Sequence, residues 1–384
     1  MNKRIVVTGM GAVTPIGTGV DTYWNNLIAG VSGIAPITRF DTSLIPVHFA
    51  GEVKDFDPAS IPKAYEKNLA PFGQYAFAAA QEALAMSAME IDPFRTGIVM
   101  CTAMDGVAEI AETQAEYDAA SRKKVSPRFV PKILGNMAPC QIAIANNIRG
   151  PSLTVNTACS SGIDAVTVAC MLIESGAADT MVAVGGESIM CNITMASLAA
   201  AQALSKNNDD PAHACRPFDK NRDGFVMGEG GGALVLETLE HAKARGAKIY
   251  AEILGCANNN DAFHITSPRP GGEGGVDIHP PGKAPEPQKA EEPRDQEPAH
   301  GRSPRKQGSR RRNPAAQSPA ATDRAEVPHT AGRMSKGVPQ PAAARREATV
   351  AGISWSEALF STTRRQSSSL ATPPVPFAIR EAAF

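Results

Sequence analysis

Val155-Asn156-Thr157-Ala158-Cys159-Ser160-Ser161-Gly162 joins a strand-like run (Leu153, Val155) to a helix-like run from Ile163 to Ile173, with a cysteine at the corner. A thiol on a sharp strand-to-helix turn points away from the sheet. It sits where the next helix offers free N–H groups and the positive end of its dipole, both favourable to a sulfur anion. Ala158, Ser160, Ser161 and Gly162 are small, so the backbone can turn tightly and an acyl group can approach. The pattern is that of a nucleophile elbow made with Cys in place of Ser. Taken alone, Cys159 also reads as a buried core cysteine. The flanking residues favour the elbow.

Working outward, strand and helix patterns alternate on both sides of the corner. Residues 4–8 form a short β-branched strand, followed by glycines and Pro15 in a loop. Gly9 and Gly11 do not complete a dinucleotide-binding fingerprint, because no third glycine arrives in register and Pro15 interrupts. Asp21 is placed to cap a helix carrying Tyr23, Trp24, Leu27 and Ile28. A longer, alanine-rich helix spans about Ala70–Met86, with Phe72, Tyr75 and Leu84 as core contacts. Strands are expected at 97–101, 180–184, 231–237 and 249–254, with helices at 132–145 and 239–245. Such alternation predicts α/β layers over a mostly buried sheet. The segment from Asp105 to about Pro131 reads as a lid or substrate-facing stretch. Its cations Arg122, Lys123, Lys124 and Arg128 fit either a solvated surface or the docking of an acidic partner.

Charge divides the chain in two. Residues 276–384 hold 17 Lys+Arg against 11 Asp+Glu, which leaves 21 and 28 for residues 1–275. The later segment also carries half of the 30 prolines, and only 15 of its 109 residues are Val, Ile, Leu, Met, Phe or Trp. That share is too small for an ordinary core, so residues 276–384 are expected to be disordered. All seven cysteines lie before residue 276, odd in number and unclustered, as reduced thiols of a cytoplasmic protein are. No stretch offers the roughly 20 unbroken apolar residues of a membrane span, and Thr8, Gly9 and Gly11 break the run that might suggest a leader. Arginine runs without aromatic interleaving or a fold motif argue against a nucleic-acid partner.

Thr157-Ala158-Cys159-Ser160-Ser161-Gly162 resembles the active-site signature of the elongating β-ketoacyl-[acyl-carrier-protein] synthases, most closely the KAS II type of bacterial fatty-acid synthesis. Three more blocks are similar to the same family in the same order: Ile5–Gly17, Arg216–Gly230 and Asp261–Pro268. Four ordered blocks over residues 1 to about 275 are far more specific than one cysteine motif. The resemblance implies a thiolase-like layered αβαβα fold of two similar halves. The first half occupies 1–255 and the second begins at 256–275. It implies a homodimer with Ser152–Asn156 near the twofold axis, acyl carrier protein as partner, and neither metal nor cofactor. It makes Cys159 the nucleophile and Met104 and Leu198 the acyl-pocket lining, and it places carrier-protein contacts in the neighbourhood of Arg122, Lys123, Lys124 and Arg128 without fixing which residues make them. The bland alternative for Met104 and Leu198 is core. His264 reads as structural.

Beyond about residue 275 the resemblance stops. The family's enolate-stabilising histidines stand in His-Gly-Thr and Gly-His motifs, with a lysine nearby. Here His300 is followed by Gly301 and Arg302, and His329 lies in Pro-His-Thr. The late glycine-rich loop with its gating phenylalanine is missing as well. Two origins account for residues 276–384: a basic, disordered tail, or an out-of-frame translation of a GC-rich second half. The expectation is a fatty-acid-elongation synthase by descent that does not condense acyl groups as this polypeptide. A polyketide-type ketosynthase or another thiolase-fold acyltransferase is the alternative enzyme. A non-catalytic partner subunit is the alternative of another class, disfavoured by the retained Cys159.

Overall fold

Residues on successive positions of a strand face opposite ways, and here both faces are apolar. Ile98, Met100, Val182, Val184, Ala233 and Val235 pack into one core cluster, while Val99, Cys101, Met181, Ala183, Leu234 and Leu236 pack into another. A sheet buried on both sides needs helices on both, and the chain supplies them. The computed structural model describes residues 3–119, 124–272 and 379–381.

The strands are β1 (Ile5–Thr14), β2 (Gly17–Thr18), β3 (Ala35–Pro36), β4 (Phe49–Ala50), β5 (Thr96–Cys101), β6 (Ser152–Val155), β7 (Thr180–Glu187), β8 (Gly230–Thr238), β9 (Ala251–Ile253) and β10 (Ile379–Glu381). The main sheet runs β10-β9-β1-β8-β7-β5-β6, with β2 folded back on β1 and with β3 and β4 pairing apart. β5 lies parallel to both β6 and β7, whereas β8 is antiparallel to β7 and β1. The helices are α1 (Val20–Ile28), α2 (Lys63–Glu66), α3 (Pro71–Ser87), α4 (Val107–Asp118), α5 (Phe129–Ile133), α6 (Met137–Asn146), α7 (Ser161–Glu174), α8 (Asn192–Ala200) and α9 (Leu239–Ala244). α3 and α6 share the cluster on one face, and α7 shares the cluster on the other. Phe72, Tyr75 and Leu84 are buried on α3 as expected.

Several local expectations need correction. β1 does not end before the glycines but continues through them to Thr14. The glycines serve close approach: a Cβ at Gly9 would stand 2.1 Å from the Ala83 carbonyl oxygen, and one at Gly11 1.9 Å from that of Ala79. The alanine-rich face of α3 thus lies directly on the β1 backbone. α1 starts after Gly19, and Asp21 sits inside its first turn. The capping task falls to Glu82 on α3, whose carboxylate accepts from Val20 N (2.7 Å) and Ala12 N (2.9 Å). No residue of α1 is buried, and Trp24 and Ile28 are exposed. The helix expected at 132–145 is two, α5 and α6, because Leu134 is extended between them. Cys170 and Cys256 are not separate, since their thiols hydrogen-bond in the core. Ile379–Glu381, within the stretch expected to be disordered, pairs with β9, satisfying the edge of that short strand.

Candidate active site

At the C-terminal end of β6 the chain makes a single turn of 3-10 helix, Ala158–Ser160, and runs directly into α7. Ala158 takes a left-handed backbone (φ 51°), which is costly for a side chain larger than hydrogen. The bend turns Cys159 out of the sheet, and its thiol is exposed. This is the corner expected from the sequence, with the helix beginning two residues earlier than its apolar run.

Side chains of the same stretch hold the bend. Thr157 N donates to Ser161 Oγ (2.8 Å), and Ser161 Oγ donates to the Ala158 carbonyl (2.7 Å). Ser161 is buried, so these bonds form away from competing water. Asp164, in the first turn of α7, accepts from the hydroxyls of Thr157 and Ser160 and from Asn258 Nδ2 (2.6 Å).

A second connection joins the turn to the loop after β5. Asn156 Nδ2 donates to the Ala103 carbonyl (3.0 Å), while the Ala103 N–H donates to Glu187 Oε2 at 2.5 Å. Burial pushes the Glu187 carboxyl up to about 7, with the negative charge of Asp105 adding to the effect and the Ala103 and Met104 N–H groups opposing it. Met104 lies on this loop and is exposed, so the core reading of it does not hold. Leu198, on α8, packs against a separate cluster that includes Met190, Met195 and Val107. Lys124 and Arg128 are exposed ahead of α5, and Arg122 and Lys123 lie outside the described residues. In the segment read as substrate-facing, a cavity of about 180 Å³ is lined by Ile110, Tyr117, Val125 and Phe129, among others.

Cys159 is exposed, whereas the other cysteines are buried or half-buried. Burial raises Cys101 to about 12, with Glu187 and Asp164 contributing, and Cys170 is pushed up by its bond to Cys256 and by burial. His264 Nδ1 accepts from Thr266 N (3.2 Å) and Ser267 N (3.1 Å), as a residue that shapes its own turn does. His300 and His329 lie outside the described residues. Among the described residues no group of His, Cys, Asp and Glu could hold a metal ion. Sequence reading had not singled out Asp164, Glu187 or Asn258. Only the two serines and the threonine around Cys159 hinted that an acceptor was needed nearby.

With this geometry in place, the comparison with known proteins is direct. A family model described as "Beta-ketoacyl synthase, N-terminal domain" matches residues 2–242. The chain belongs to the β-ketoacyl synthase family. It is 43% identical over 278 residues to 3-oxoacyl-[acyl-carrier-protein] synthase 2 of Staphylococcus aureus (strain COL), a match covering 71% of this chain and 67% of the relative. Among solved structures, the ishigamide ketosynthase/chain length factor superposes with a TM-score of 0.64 at 34% identity, covering 72% of this chain and 68% of that one. A type II PKS acyl-carrier protein in complex with its ketosynthase (AntDE:AntF) gives a TM-score of 0.60 at 30% identity, covering 70% and 66%. The sheet with helices on both faces is therefore that of the ketosynthases, as the resemblance implied. A third of each of these proteins has no counterpart in the match.

Proposed function

We propose that this chain is, by descent, a 3-oxoacyl-[acyl-carrier-protein] synthase of fatty-acid elongation, with Cys159 as its acyl-accepting nucleophile. The observation that carries the reading is the exposed Cys159 on a left-handed turn at the start of α7, within a 43% identical match to a relative of that name. In the first reaction the Cys159 thiolate attacks the thioester carbonyl of an acyl carrier protein. A C–S bond forms to Cys159, the bond to the carrier's sulfur breaks, and that sulfur leaves as a thiolate that takes up from water the equivalent of the proton Cys159 lost on ionising. Backbone N–H groups at the turn, that of Cys159 among them, stabilise the oxyanion that develops. The second reaction, decarboxylation of malonyl carrier and attack of its enolate on the Cys159 thioester, needs donors that the family places in its second half. Residues 1–255 make up the nucleophile-bearing half, 256–275 begin the other, and 276–384 stand in its place, either as a basic tail or as an out-of-frame translation of it. On this reading the chain acylates and does not condense.

Acyl carrier protein is the partner, a reading supported by AntDE:AntF, in which an acyl-carrier protein is in complex with its ketosynthase, and cations such as Lys124 and Arg128 would meet it. A homodimer would form along β6, which has strand β5 on one side and, among the described residues, no strand on the other. A cytoplasmic location fits a chain in which, among the described residues, no helix is long and apolar enough to cross a membrane.

The test is mass spectrometry of the full chain after incubation with a long-chain acyl carrier thioester, followed by a malonyl carrier assay. The expected result is one acyl group on the peptide containing Cys159 and no release of carbon dioxide. An unacylated Cys159 would overturn the nucleophile assignment, and robust condensation would overturn the proposed loss of the second reaction.

A further inference from the structure

Asp164 is 7% exposed, and a buried carboxylate is costly unless hydrogen bonds or a countercharge compensate it. Among the described residues the compensation is in hydrogen bonds, and their sources are informative. Oδ2 accepts from Thr157 Oγ1, two residues before Cys159, and lies 3.1 Å from Ser160 Oγ, one residue after it, whose single proton it shares with the Thr157 carbonyl (3.0 Å). Oδ1 accepts from Asn258 Nδ2 at 2.6 Å, on the segment that follows β9. One carboxylate thus grips the nucleophile turn on both flanks of the sulfur and is itself anchored from a distant segment. Hydrogen bonds to a charged acceptor are about twice as strong as neutral ones. Within this span Ala158 is held at φ 51°, a conformation that persists only where neighbours determine it.

We infer that Asp164 is a positioning residue: it locks Thr157 and Ser160 so that the Cys159 sulfur and backbone N–H keep the relative placement that acyl transfer requires, and Asn258 anchors it. The inference rests on the reading of Cys159 as the nucleophile. A second consequence concerns chain architecture. The family model ends at residue 242, yet one leg of this clamp comes from residue 258. One of the bonds on the nucleophile turn therefore comes from beyond the part of the chain that the family model matches.

Asp164→Asn and Asp164→Ala separate holding from charge. An Asn amide oxygen can still accept from Thr157 and Ser160, and its NH2 can meet Asn258 once that amide flips. Ala leaves both hydroxyls without the carboxylate. Two rates would be measured on the full-length chain: acyl transfer to Cys159 from an acyl carrier thioester, and alkylation of Cys159 by iodoacetamide. Alkylation draws on no oxyanion site, so the ratio of acylation to alkylation reports positioning, and a merely structural role would not move it. Amide hydrogen exchange of residues 157–161 would be followed alongside, with β7 as internal reference.

The expected result for Asp164→Ala is a ratio about tenfold or more lower and exchange at 157–161 about tenfold or more faster, with β7 unchanged. Asp164→Asn should restore both to within about threefold, and Asn258→Ala should shift both in the same direction by about twofold to fivefold. If Asp164→Ala does not fold, Asn258→Ala carries the test. An unchanged ratio in an alkylated and acylating protein would overturn the inference. If the wild-type chain is alkylated but never acylated, the nucleophile reading fails by itself. Exchange then decides the clamp: faster at 157–161 supports it, and unchanged overturns it.

Discussion

Glu187 offers a stability test that needs no substrate. Its carboxylate sits at the end of β7 and accepts from Ala103 N (2.5 Å) and Thr102 Oγ1 (3.3 Å), beneath the loop that carries Met104. Burial raises its titration from the usual 4.5 to about 7, so between those values the folded chain holds a proton that the unfolded chain has lost. Stability from this group is therefore fully present below about pH 4.5 and is lost as pH rises through about 7. At about 1.4 kcal/mol per pH unit the whole effect is on the order of 3 kcal/mol, most of which falls between about pH 5 and about pH 8. Glu187→Gln keeps an oxygen to accept from Ala103 N and does not titrate. Urea unfolding of both proteins at the two pH values cancels every other titrating group. The wild-type chain should lose on the order of 2 to 3 kcal/mol more than Glu187→Gln on going to the higher pH. Equal losses, within about 0.5 kcal/mol, would refute the burial argument.

Two further outcomes follow from packing and from the sheet edge. Gly11→Ala places a Cβ 1.9 Å from the Ala79 carbonyl oxygen and must lever β1 off α3, so urea unfolding should show a loss of about 3 kcal/mol; a loss under about 1 kcal/mol would contradict that close approach. If β6 mediates a dimer, Leu153→Asp, on its exposed surface, should convert a dimer to a monomer in size-exclusion chromatography without loss of helical signal; an unshifted elution volume would rule the β6 edge out.

The parts of this protein legible in its sequence are those in which neighbours along the chain determine one another. The Cys159 corner is such a part, because a strand, four small residues and a helix must follow in that order for the bend to form. The apolar strands β5, β7 and β8 are another, being largely buried along their whole length. Illegible were features settled across long separations. Gly9 and Gly11 read as loop residues because their reason, the carbonyls of Ala83 and Ala79, lies some seventy positions away. Asp21 looks like a cap, yet Glu82 supplies that acceptor from another helix. α1 looks amphipathic, and nothing local says that its apolar face stays open. The same holds for Asp164 with Asn258 and for Cys170 with Cys256: chemistry at a turn or in a core, with partners more than eighty residues apart.

The distribution of these contacts along the chain bears on what a partial condensing enzyme can do. The groups that shape the Cys159 turn come from β6, α7, the loop after β5, the end of β7 and residue 258, all inside the span that matches the relatives. Acyl transfer to sulfur asks for little beyond that: an exposed thiolate, a fixed N–H and a thioester brought close. Enolate formation asks for separate donors, which the family carries elsewhere in its length. The two reactions are thus separable by position in the chain as well as by chemistry. A polypeptide retaining the first set alone would show a stoichiometric burst, one acyl group per Cys159, and then stop. In such a chain the turn would remain intact while turnover is absent, so the conformation of residues 157–161 and the yield of condensed product would vary independently. Only in a chain holding both sets should they rise and fall together.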